Sequence, residues 1–250
     1  MFNIQCSKVF KELCPDFVGT AVLADIRNSA FNAELWQEIE TFIADYRTRY
    51  TIDSIKEMPA IQATREAYKR CGKDPSRYRP SSEALVRRTL QGKELYQVNT
   101  VVDLINLASI AYGYSIGGFD ADKIVKMKHE RVKIKDVVSM ESKSISNLSS
   151  LLSNLSLTLG IGRKDEPYEG IGRGPLNIAG LPVYRDAIGG IGTPTSDHER
   201  TKLSLESTHL LAIVNGYDGN RANTNACAAF IQELLRKYAQ SDGSTIINIE

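Results

Sequence analysis

Residues 160–202 read GIGRKDEPYEGIGRGPLNIAGLPVYRDAIGGIGTPTSDHERTK, and half of the chain's 18 glycines and half of its 8 prolines fall within them. Breakers at that density exclude a helix. The same stretch keeps Ile171, Leu176, Ile178, Leu181, Val183 and Tyr184, apolar side chains that need burial. It therefore reads as short strands joined by tight turns and packed into a domain, not as a linker. Bare glycine backbone lets amides approach a ligand closely, and the polar cluster Thr193, Thr195, Ser196, Asp197, Glu199 and Arg200 stands at the end of the run. The chemistry of the chain is expected here.

Outward from this block the pattern alternates strands and helices. Residues 17–26 (FVGTAVLADI) form a compact, partly β-branched run suited to a strand. Leu35, Ile39, Phe42, Ile43 and Tyr46 carry the spacing of an amphipathic helix over 32–49. A second helical pattern over 60–71 stops at Gly72, and KDPSRYRP (73–80) must be extended or turning because of its two prolines. Ser81 and Ser82 offer an N-cap to a helix that ends at Gly92. Residues 95–110 open extended and turn helical, with Val102, Ile105, Leu107 and Ile110 facing inward. A strand over 209–215, a turn at 216–219, a helix over about 223–238 and a terminal strand TIINI complete the chain. Residues 126–156 interrupt this alternation. Five Lys or Arg in KMKHERVKIKD are followed there by a serine-rich run with leucines at loosely helical intervals. The segment is read as an insertion, either a solvated arm or one that touches RNA phosphates.

Composition narrows the function classes. With 250 residues, 42% hydrophobic and 24% charged, the chain can bury a full core as one domain. Its 31 Lys plus Arg against 30 Asp plus Glu give a net charge of +1, which supplies no global field for nucleic acid. Neither a DNA partner nor a membrane partner is expected. Cys6, Cys14, Cys71 and Cys227 are scattered without metal-ligand spacing, and the chain has 3 histidines, so neither zinc nor a disulfide framework is indicated. Reduced, mostly buried thiols, no cofactor and a cytoplasmic setting are expected. No apolar run reaches the length of a membrane span, and the N-terminus has no signal-peptide pattern.

Three blocks carry a family resemblance: RPSSEALVRRTLQGK (79–93), NTVVDLINLASIAYGYSIGGFDADKI (99–124) and EGIGRGPLNIAGLPVYRDAIGGIGTPTSDHERTKL (169–203). Together they resemble the B3/B4 domain, known from the β subunit of phenylalanyl-tRNA synthetase and also found as stand-alone proteins. The resemblance implies an α+β fold of mixed β-sheets with flanking helices, covering 1–250 as a single domain around the insertion. In the synthetase this domain houses the editing site that hydrolyses tRNA carrying tyrosine. A misacylated tRNA, or its aminoacyl end, is the implied partner. Asp103 and Asn106 match the Asp and Asn of the family's D-I-T-N motif, and Gly113, Phe119 and Asp120 match its G-Q-P-x-H-A-F-D motif. The histidine of the latter corresponds to Gly117, and the pocket glutamate of the synthetase falls at about Val214 or Asn215, so neither group is supplied at its family position.

Deacylation needs a water held against the ester carbonyl and donors for the oxyanion, but no protein nucleophile. Backbone amides of IGGIGTPTSD, with Thr193, Thr195 and Ser196, are the candidate oxyanion donors. Asp197 either orients water or the substrate ammonium, or caps a turn. Ser196, Asp197 and His198 are adjacent, so their side chains diverge and make a poor triad. GIGRG is followed by Pro175 and an extended segment, which excludes a Rossmann phosphate loop. Arg79, Arg173, Arg185 and Arg200, with Asp186, are candidates for binding the tRNA end. Equally, Arg185 with Asp186, or Arg200 with Asp197, would form internal ion pairs. Thr193, Thr195, Asp197 and Arg173 are expected to share one concave site with Asn106 or Asn99. Two functions remain open, a stand-alone deacylase acting in trans and a non-catalytic module that binds RNA or an amino acid.

Overall fold

The computed structural model describes residues 3–124 and 156–249. The expected insertion at 126–156 lies outside the described residues apart from Ser156, which opens a strand. The strands are β1 Asn3–Cys6, β2 Val18–Asp25, β3 Ser115–Asp120, β4 Ser156–Ile161, β5 Glu169–Gly170, β6 Gly174–Pro175, β7 Pro182–Arg185, β8 Gly190–Gly192, β9 His209–Gly216 and β10 Ser244–Ile249. The α-helices among the described residues are α1 Lys8–Leu13, α2 Ala33–Arg49, α3 Pro59–Arg70, α4 Ser81–Leu90, α5 Thr100–Tyr112 and α6 Arg221–Tyr238. The α+β class expected from the sequence is the class observed.

One sheet is antiparallel, in the order β10-β2-β9-β3, with β2 and β9 paired from Val18↔Gly216 to Asp25↔His209. Its two faces are both buried. Val22, Ala24, Leu210, Ala212 and Val214 pack against Leu35 and Ile39 of α2, Leu104 of α5 and Ile231 of α6. Ala21, Leu23, Leu211 and Ile213 meet Leu157, Leu159, Tyr184 and Ile191 of a second sheet, ordered β1-β4-β7-β8. A strand covered on both faces needs no polar alternation, which is why FVGTAVLADI reads as a continuous apolar run. The glycine-rich block supplies β7 and β8 of the second sheet and the small β5-β6 hairpin, as short strands and turns. Beneath it Tyr68, Tyr168, Ile178, Leu181 and Val183 form a separate buried cluster.

Three local expectations change. Ser81 and Ser82 do not cap α4 with their side chains: Pro80 is the N-cap, and the Ser81 amide donates to the Pro194 carbonyl at 2.8 Å. A tertiary carbonyl satisfies the free amide, and Ser82 is left buried with its hydroxyl 3.2 Å from that of Ser115. Val102 is half-buried instead of facing fully inward. Ile171, expected in the core, is 39% exposed, in the turn between β5 and β6. Both side chains line a cavity.

Candidate functional site

The cavity, of about 380 Å³, lies where α5, β3 and the segment after β8 converge. Val102, Ile105 and Asn106 reach it from one face of α5, at the helical spacing of three and four residues. Ile116 and Gly118 reach it from one face of β3, at the strand spacing of two. Val98, Ile171, Asp197, Lys202 and Leu203 close the remainder. Its lining is thus mainly aliphatic, with an amide, a carboxylate and an ammonium group.

Asp197 is half-buried as a residue, and its carboxyl group is withdrawn from water. It accepts one hydrogen bond, from the Gly118 amide at 2.9 Å. Burial pushes its pKa up to about 7, and the Gly118 bond offsets only part of that rise. The ring of Phe119 lies beneath. A Cβ at Gly117 would stand 2.6 Å from Phe119 Cζ, and one at Gly192 would stand 2.4 Å from Cζ and 2.9 Å from Asp197 Oδ1. Both positions therefore require glycine in this packing. With the Phe119 ring in this position, a side chain at 117 has no room unless the ring moves.

The neighbouring hydroxyls build the frame that holds Asp197. Thr193 Oγ1 accepts from the amides of Thr195 (3.2 Å) and Ser196 (3.1 Å) and donates to the Ser196 carbonyl (3.0 Å). Thr195 Oγ1 donates to the Tyr78 carbonyl and lies 2.9 Å from Tyr68 Oη. The Ser196 hydroxyl donates to the Asp197 carbonyl. The Thr193 amide goes to the Ser196 carbonyl and the His198 amide to Ile191. The expected oxyanion amides of Thr193, Thr195 and Ser196 are thus already engaged inside the turn.

Among the other candidates, Asn106 joins Asp197 in the cavity, and its side chain makes no hydrogen bond among the described residues. The Asn99 side chain instead caps α5, accepting from the Val102 amide at 3.0 Å. Asp103 accepts from Trp36 Nε1 and the Val98 amide, and so fixes the cavity's edge. Arg173 is exposed in the β5-β6 turn, two residues from Ile171 and outside the cavity lining. Arg79 stands 3.6 Å from Glu83, a buried carboxylate also paired with Arg65 and Arg87. The expected internal pairs exchange partners: Arg185 makes a bidentate pair with Glu166, and Arg200 with Asp186. Asn215 is buried, accepting from Tyr184 Oη at 2.7 Å and donating to the Ser115 carbonyl, while Val214 packs against the helices. The sequence reading missed Val98, Lys202 and Leu203; the exposure of Ile171 is the feature that marks the cavity's mouth.

The profile of the B3/4 domain matches residues 63–233. The chain belongs to the B3/4 domain family. The match begins within α3, yet β2, which lies outside it, is a central strand of the antiparallel sheet, so the matched region and its flanks fold as one sheet. No curated protein matches the chain. Among solved structures, an N-terminal fragment of the phenylalanyl-tRNA synthetase β subunit from Pyrococcus horikoshii aligns with 10% identity and a TM-score of 0.45. The alignment covers 98% of this chain and 50% of that one, so the chain spans about half the length of the fragment. Among the described residues of this B3/4 domain no group of three or more His, Cys, Asp or Glu is placed to hold a metal ion, and no helix is long and apolar enough to cross a membrane.

Proposed function

We propose that this B3/4 domain chain is a stand-alone deacylase that hydrolyses the ester of a misacylated tRNA in trans, with the acyl side chain in the aliphatic cavity and Asp197 as general base. The observation that carries the reading is the Asp197 carboxyl group, held near neutral pKa at the edge of an apolar cavity with one amide donor. A base with that pKa is half ionised at neutral pH, which suits both halves of ester hydrolysis. Ionised Asp197 takes a proton from water as the water oxygen bonds to the carbonyl carbon. The protonated acid then returns that proton to the departing ribose oxygen as the ester bond breaks, releasing free amino acid and tRNA. Asn106 has an unengaged amide that would donate to the carbonyl oxygen as it becomes an oxyanion. The aliphatic lining favours an apolar acyl side chain over a charged one.

A second reading, a binding module without catalysis, is favoured by the engaged amides of Thr195 and Ser196, which leave fewer preorganised donors for an oxyanion. A deacylation screen over a panel of mischarged tRNAs separates the two. The deacylase reading predicts release of one class of apolar amino acid, slowed by Asp197→Asn on the order of tenfold to thousandfold. No hydrolysis of any tRNA, together with binding of a free amino acid or RNA, would establish the module.

A further inference from the structure

The segment 197–202 is a wall shared by two cavities. Asp197 and Lys202 line the first, whereas His198 and Arg200 line a second cleft of about 580 Å³. We propose that this second cleft is a nucleotide-binding site, with phosphate held by Arg163, Lys164 and Arg200 and the base lying against Ile188 and Pro167.

Charge and rigidity support the anionic end. Arg163, Lys164, Arg185 and Arg200 line the cleft with one carboxylate, Glu166; Arg185 is paired with Glu166 and Arg200 with Asp186, while Arg163 and Lys164 form no ion pair among the described residues. Glu169 and Glu199 also act on His198 without lining the cleft, and Glu199 is itself paired with Lys202 at 2.6 Å. The two bidentate pairs hold their guanidinium groups in fixed orientation, so little side-chain freedom is lost when an anion arrives. Arg185 Nη1 and Arg200 Nε retain donors unused among the described residues. His198 adds another. Its Nδ1 accepts from the Arg200 amide at 3.0 Å, and burial together with Arg200 lowers its pKa, so the neutral ring carries its proton on Nε2. Edge-on packing against Tyr168, with centroids 4.8 Å apart, fixes the ring.

The apolar wall supports the base. Ile188 is 64% exposed in the turn between β7 and β8 and lines the cleft, so its side chain presents an apolar surface to a ligand there. The turn holds it in place, because Asp186 Oδ1 accepts from the amides of Ile188 (3.0 Å) and Gly189 (3.1 Å). Pro167 is also exposed and lines the cleft. Cations beside a fixed apolar surface, in a cleft within the usual range of small-ligand sites of roughly 300–1,000 Å³, suit a phosphate joined to a flat ring. A free mononucleotide and one nucleotide of an RNA strand share this chemistry.

The inference does not depend on the hydrolysis reading, since its test contains no aminoacyl ester. Calorimetric titration of the full chain with AMP, inorganic phosphate, adenosine and a single-stranded RNA hexamer reads it directly. AMP is expected to bind more tightly than phosphate or adenosine. The double variant Arg163→Glu, Lys164→Glu, at two exposed positions, is expected to weaken AMP by about tenfold or more and leave adenosine unchanged. Ile188→Ser is expected to weaken AMP and adenosine but not phosphate. A hexamer that binds more tightly than AMP identifies RNA as the source, and one that binds more weakly identifies a free nucleotide. Absence of AMP binding at millimolar concentration, AMP no tighter than phosphate, or AMP binding unmoved by the double charge reversal would overturn the proposal.

Discussion

Asp197→Asn is expected to stabilise the protein above neutral pH while removing the base on which the proposed chemistry rests. The carboxyl group keeps its proton to about pH 7 in the folded protein, against a reference value of 3.8. Between these values the folded state binds more protons than the unfolded state, so wild-type stability falls as pH rises from about 4 through about 7. Full withdrawal of the charge from water would place this loss at about 4 kcal/mol at pH 8; because the residue is half-buried and the cavity admits water, about 2–4 kcal/mol is expected. Asparagine keeps the shape and the acceptor for the Gly118 amide but is never charged. The variant should match wild type at pH 4 and melt roughly 5–15 °C higher at pH 8. Urea or thermal denaturation of both proteins across pH 4–8 measures the difference. Parallel stability profiles, or a variant less stable at pH 8, would refute the claim that Asp197 is held near neutral pKa by burial.

The fold was more legible than the site, for reasons tied to particular residues. Continuous burial of β2 and the three-four spacing of α2 are local signals, and both elements appear where the sequence places them, within a residue or two. β1 and α1 carried no comparable signal: β1 is four residues long and exists through parallel pairing with β4, some 150 positions away in sequence. The convergence of Asp197 and Asn106 in one cavity was expected because the two sequence blocks that contain them resemble the same family. The roles of Thr193 and Thr195 were not, since a hydroxyl that frames a turn and one that faces a ligand look alike in sequence. Nor could adjacency assign the ion pairs: Arg185 ends β7 and pairs with Glu166, whereas Asp186 opens the following turn and pairs with Arg200, so each neighbour finds its partner elsewhere. Gly117 shows the limit of a motif read alone, because its meaning depends on a ring two residues later and on Gly192 across the sheet interface.

Two further outcomes test the packing around the site and the charge cluster beside it. Gly117→Ala should destabilise by about 1–3 kcal/mol, because its Cβ would stand 2.6 Å from Phe119 Cζ; a urea midpoint equal to wild type would show that the ring yields freely. Glu83→Gln tests the cluster in which one buried carboxylate faces Arg65 and Arg87 at 2.8 Å and Arg79 at 3.6 Å. Glutamine retains the volume and an acceptor, so the change isolates charge. Three guanidinium groups would then crowd a neutral amide, and a loss of about 2 kcal/mol is expected, less than for a wholly buried pair because the arginines remain partly exposed. Mutual repulsion of the arginines is screened by salt, so the deficit should shrink as ionic strength rises from about 0.01 M to about 1 M. A variant as stable as wild type at low salt would mean that the arginines are neutralised by water alone and that Glu83 does not organise them.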